Sequence, residues 1–156
     1  MKLPILGLLL RLLPTLININ HKTILEEKMP HFIVEFTDNI KAQADIPLLL
    51  EKVNKLLISK SPIFPVGGIR SRAIELNDYC IADGEENYAF VHATLKIGAG
   101  RSEEDKKATC DEIFALMKEH FNKLYDERYL ALSLELFEFS EAGTYKYNNI
   151  HNRFRK

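Results

Sequence analysis

The chain has 156 residues, 46% of them hydrophobic and 28% charged, which suits one globular domain with its own core and is too short for two large ones. A net charge of −1 supplies no overall basic field for nucleic acid or an anionic membrane, so neither is expected as a partner. Cys80 and Cys110 show no CxxC spacing and the histidines no HxxxH-type pair, which argues against a disulfide framework or a metal and for a reducing compartment, the cytoplasm.

Residues 1–28, MKLPILGLLLRLLPTLININHKTILEEK, differ from all that follows. A lysine ahead of an apolar run has the outline of a secretory signal. Arg11 and Pro14 interrupt that run, however, no small-residue cleavage site precedes Met29, and no span of about 20 apolar residues fits a membrane. Glu26, Glu27 and Lys28 are written by purine codons directly ahead of a methionine codon, the pattern of a bacterial ribosome-binding site. We therefore expect residues 1–28 to be an extension outside the fold, and the working domain to cover residues 29–156. Two readings of Pro30 follow. Inside a longer chain it opens an edge strand, where proline is tolerated. With Met29 as initiator and then removed, its nitrogen is a secondary amine, and α-amino groups titrate near about 7.7–8.0. A positive surrounding lowers that value towards a base usable at neutral pH.

After Pro30, HFIVEF reads as a strand. ADIPLLLEKVNKLLISK then switches to helical period, with Ile46, Leu49, Leu50, Val53, Leu56 and Leu57 on one stripe, Asp45 as N-cap and Pro47 in the first turn. SPIFPVGG ends this unit, IRSRAIELNDYCIA is the next strand, and DGEEN is a turn. The order repeats: YAFVHATLKI is a strand, GAG breaks it, and RSEEDKKATCDEIFALMKEHFNKLYDE is one long helix capped by Ser102. Its stripe is Cys110, Ile113, Phe114, Met117, Phe121 and Leu124. YLALSLELFEF is the last strand. The expected class is α+β, two right-handed β-α-β units forming a four-stranded mixed sheet with both helices on one face. Apolar residues left on the other face, in HFIVEF and LALSLELFEF, predict an oligomer interface. The tail TYKYNNIHNRFRK shows no helical period and is expected to be a loop or short strand reaching a neighbouring subunit, or else a frayed end.

The chemistry-bearing residues are mostly basic. GGIRSR puts Arg70 and Arg72 on one face at the head of a strand. IGAGRSEED puts Arg101 between glycines and a helix start, where backbone N–H groups and a planar guanidinium suit a carboxylate. His31 adjoins Pro30 as a pocket-lining candidate. His92 reads as structural and Cys110 as core, and Cys80 has no activating neighbour. No GxGxxG or GxSxG is present.

Together MPHFIVEFTDNI, IFPVGGIRSR, YAFVHATLKIGAGRS, LALS and YKYNNIH resemble the 5-carboxymethyl-2-hydroxymuconate isomerases of the tautomerase superfamily, in order and spacing from Met29 to the C-terminus. The resemblance implies a β-α-β-β-α-β subunit in a homotrimer. It also implies an isomerase of homoprotocatechuate (4-hydroxyphenylacetate) degradation that acts on a small-molecule tricarboxylate and needs no cofactor. It makes Pro30 the catalytic residue and Arg70 and Arg101 substrate-binding, with Arg72 in the same motif and His31 beside it. Related tautomerases of other enol acids, and an inactive trimeric binding protein on the same scaffold, are the alternatives.

Overall fold

The computed structural model describes residues 29–155, so the expectation for residues 1–28 lies outside the described residues. β1 (His31–Thr37) alternates along its length. Phe32, Val34 and Phe36 enter the core, while His31, Ile33 and Glu35 point to the opposite face. A 3-10 turn and the short helix α1 (Lys41–Ala44) lead to α2 (Ile46–Ser59). Asp45 takes left-handed backbone at φ 38° and its carboxylate accepts the Leu48 N–H at 3.3 Å, the predicted cap. Ile46, Leu49, Val53 and Leu57 are buried, and Leu50 and Leu56 flank them.

β2 (Arg70–Leu76) pairs parallel with β1, from His31 opposite Arg70 to Thr37 opposite Leu76. The predicted strand ran on to Ala82, but the sheet ends at Leu76. The Tyr79 hydroxyl donates to Asp38 at 2.8 Å, and Ala82 and Gly84 turn at φ 51° and 75°. β3 (Ala89–Gly98) runs antiparallel to β1, and β4 (Leu130–Phe139) parallel to β3, giving the order β2-β1-β3-β4. This is the four-stranded mixed sheet expected.

The long second helix is divided. α3 (Glu103–His120) starts at Ser102, whose hydroxyl accepts the Asp105 N–H at 3.0 Å, and α4 (Asn122–Glu127) follows a break at Phe121. At the break His120 Nε2 donates to Ala44 O at 2.7 Å, tying this helix end to α1. The stripe survives it, since Ile113, Met117, Phe121 and Leu124 are all core.

The open face carries His31, Glu35, Arg70, Arg72, His92, Thr94, Lys96, Ser133 and Glu135, and large apolar residues remain on it as expected, Ile33, Ile74, Phe90, Phe137 and Phe139, while Leu130, Leu132 and Leu134 turn towards the helices. One expectation is corrected: the tail is more ordered than predicted. It ends in a 3-10 turn (Ile150–Phe154) that buries His151 against this chain's own Gly67. Tyr145 and Tyr147 remain fully exposed.

Candidate functional site

The head of β1 is built around a pair of glycines. Val66–Gly68 forms a 3-10 turn just ahead of β2, and the next strand residue, Arg70, donates its N–H to the Pro30 carbonyl at 3.0 Å. A methyl group on Gly68 would stand 3.3 Å from the Met29 Cα and 3.7 Å from His151 Cε1. On Gly67 it would stand 2.7 Å from His151 Nδ1 and 2.9 Å from the His151 Cα. A methyl would force His151 to shift at Gly67 and would be a tight fit at Gly68. Asn148 Nδ2 donates to the Gly67 carbonyl at 3.1 Å and fixes the tail in the same place. Pro30 is buried where these three segments meet.

Basic side chains stand at the same strand heads on the open face. Arg70 Nη1 donates to the carbonyls of Gly67 at 3.1 Å and Ile69 at 2.9 Å, which presets its guanidinium. Arg72 Nη1 lies 3.4 Å from His31 Nδ1. His31 meets the Phe139 ring edge-on, with centroids 6.5 Å apart. Burial holds the His31 imidazole below its usual range, and Arg72, Arg70, Lys96 and Lys146 push it further the same way. The imidazole is therefore neutral near pH 7 and can accept a proton or hydrogen bond where a cation could not.

Arg101 stands at the same end of the sheet, three residues past the end of β3, but is held differently from the sequence reading. Its Nη1 donates to Gly98 O at 2.8 Å and its Nε to Ile63 O at 3.2 Å. The guanidinium lies 4.7 Å from the Phe64 ring centre. Burial lowers its pKa, opposed by the charges of Glu138 and Asp105. It is thus a buried, fixed cation rather than a mobile surface arginine. The structure gathers Pro30, His31, Arg70 and Arg72 into one group, with Arg101 anchored to the loops beside it.

The weaker sequence candidates stay outside this group. His92 lies mid-sheet, its Nδ1 2.7 Å from Ser133 Oγ. Cys110 is half-buried and burial raises its thiol pKa, while Cys80 is an exposed loop thiol. Among the described residues no cluster of His, Cys, Asp or Glu is placed to hold a metal ion. Sequence reasoning missed His151, Asn148, Lys96 and Lys146. The first two could be found only by folding the tail back, and Lys96 only from the β1–β3 register, which sets it opposite His31.

Comparison with known proteins shows the family of the chain. The family model described as 5-carboxymethyl-2-hydroxymuconate isomerase matches residues 30–154, opening on the proline. The 5-carboxymethyl-2-hydroxymuconate Delta-isomerase of Escherichia coli is 48% identical over 127 residues, covering 81% of this chain and 100% of that protein. The crystal structure of a 5-carboxymethyl-2-hydroxymuconate isomerase from Deinococcus radiodurans R1 superposes with a TM-score of 0.80 at 53% identity, over 83% of this chain and 97% of that one. A fused 4-OT wild-type symmetric trimer shares the fold at a TM-score of 0.58 and 17% identity, over 76% and 92% of the two chains.

Proposed function

The chain belongs to the 5-carboxymethyl-2-hydroxymuconate isomerase family, and from that premise we propose that it isomerises 5-carboxymethyl-2-hydroxymuconate with the Pro30 nitrogen as its acid–base group. The observation that carries this reading is that His31, Arg70 and Arg72 stand together at the strand heads directly after a buried proline, whose carbonyl accepts the Arg70 N–H. An internal proline nitrogen is a tertiary amide without basicity, so the reading requires Pro30 to be the first residue of the working protein. The family match that begins at Pro30, and the full coverage of the bacterial relative by 127 residues, support that start.

The neutral amine takes the 2-hydroxyl proton of the dienol and returns a proton to C5, giving the 2-oxo-3-ene tautomer. Cations beside it keep the amine unprotonated near neutral pH. Arg70, already fixed by two backbone carbonyls, and the buried Arg101 stabilise charge on the 2-oxygen and its neighbouring carboxylate as the enolate develops. Because Met29 packs against Gly68, its removal exposes the space directly ahead of the nitrogen, with Gly68 and His151 as walls. The substrate approaches through that space. Trimerisation through the open sheet face fits the kinship in fold with a symmetric trimer, and free Cys80 and Cys110 suit a reducing cytoplasm.

The test compares protein that begins at Pro30 with protein in which one extra residue is retained before it. Loss of the dienol absorbance is followed in each. Activity confined to the free-proline form is expected; equal turnover in both forms overturns the mechanism.

A further inference from the structure

Two side chains from distant parts of the chain donate to one carbonyl. Gly67 O accepts Arg70 Nη1 at 3.1 Å and Asn148 Nδ2 at 3.1 Å. The backbone bonds around it run elsewhere: the Gly68 N–H goes to Pro65 O, the Ile69 N–H to Val66 O and the Arg70 N–H to Pro30 O. Gly67 is buried, and a buried carbonyl is costly to leave unsatisfied. Gly67 and Gly68 also restrict their own backbone less than any other residue would. The direction of this carbonyl is therefore set from outside, by the two side chains that reach it.

Asn148 is itself held firmly. Its Oδ1 accepts the Ile150 N–H at 2.9 Å, closing a local turn, and His151, buried against Gly67, keeps this stretch of tail on the loop. Arg70 spends Nη1 on Gly67 O and Ile69 O, and among the described residues its Nε and Nη2 make no hydrogen bond. Those groups remain for an anion. Ile69 O belongs to the arginine's own neighbour, so Gly67 O is the anchor that ties the guanidinium to another part of the fold. We propose that Asn148 is a positioning residue for Arg70: through the Gly67 carbonyl, the folded-back tail fixes the guanidinium in the orientation that meets a substrate carboxylate. A guanidinium preset in this way loses less freedom when the anion arrives. The use of Arg70 on a carboxylate rests on the catalytic reading above; the coupling of tail to guanidinium does not.

Asn148→Ala removes the donor. Asn148→Ser is too short to reach Gly67 but keeps a hydroxyl for the Ile150 N–H, so an effect common to both comes from the Gly67 bond and not from the local turn. Thermal melting verifies the fold of each. NMR relaxation of the Arg70 Nε–H group, assigned by its loss in Arg70→Ala, should show an ordered guanidinium in the wild type and a mobile one in both variants. For the muconate, kcat/KM is expected to fall about three- to tenfold in each, mainly through KM. Adding Asn148→Ala to Arg70→Ala should cost less than about twofold more, because the effect passes through the arginine. An Arg70 equally ordered in the variants, a kcat/KM within about twofold of wild type, or an equal loss with and without Arg70 overturns the inference. A loosened Arg70 in the variants of a protein that leaves the muconate untouched would instead uphold the coupling and defeat the catalytic reading.

Discussion

The two ends of the sheet both present arginine beside aromatic rings, yet they are organised in opposite ways. Where β3 and β4 begin, an open cleft of about 890 Å3 is bordered by Tyr88, Tyr125, Arg128 and Tyr129. There Arg128 donates Nη1 to Asn39 O at 3.1 Å and Nη2 to Asn87 O at 3.0 Å, and the Tyr88 hydroxyl donates to Asp83 at 2.9 Å. That arginine pins loops together. At the other end, where β1 and β2 begin, Arg70 commits only Nη1 to backbone, and Arg72 and Lys96 have no carboxylate partner among the described residues. The cleft end is thus one whose arginine is spent on holding loops, whereas the other end sets arginines and a lysine without a carboxylate partner, among the described residues, next to a proline. Volume alone does not locate chemistry; uncompensated charge beside a special atom does.

The comparison breaks most sharply at Pro30. Retaining any residue ahead of it converts the amine to an amide, and turnover should fall by roughly 10²–10⁴-fold, the usual worth of a general acid–base group, in the dienol absorbance assay. Next come the arginines. Arg70→Ala and Arg101→Ala should each lower kcat/KM by about 10- to 100-fold, as expected for losing a charged hydrogen bond. Arg101→Ala should also lower Tm, because its guanidinium bridges Ile63 O and Gly98 O over Phe64, whereas Arg70→Ala should leave Tm nearly unchanged.

A smaller effect is expected from Gly67→Ala. Its methyl would meet His151 side-chain and backbone atoms at 2.7 and 2.9 Å, so the tail must shift at a cost of about 1–3 kcal/mol. Urea unfolding and proteolysis of the tail measure this. His31 gives a pH signature. Its folded pKa lies below the unfolded value, so the unfolded chain binds the proton first as pH falls below about 6.5, and stability declines there. His31→Gln should flatten that acid-side decline in Tm while leaving the alkaline side unaltered. At the opposite end Tyr125→Ala, an exposed residue of the large cleft, should leave kcat/KM within about twofold.

Much of this design is legible in the chain itself because it is local. The strand run HFIVEF, the Asp45 and Ser102 caps and the leucine stripe of α2 each depend on neighbours a few residues away, and each is found where the sequence puts it. The errors arise where distant segments decide. β2 stops early because Tyr79 reaches Asp38 across the fold, and the second helix breaks where His120 meets Ala44. The site divides in the same manner. Pro30, Arg70 and Arg101 stand out by their glycine-rich and strand-end settings. Lys96, Lys146 and His151 belong to it only through strand pairing and the folded-back tail, which periodicity does not encode.

The central claim is that the working nitrogen ends the polypeptide, and sequencing the amino terminus of active protein purified from its native gene tests it most directly. The account predicts Pro-His-Phe-Ile as the opening residues of the species that isomerises the muconate. Met-Lys-Leu-Pro at the start of a fully active species would contradict it.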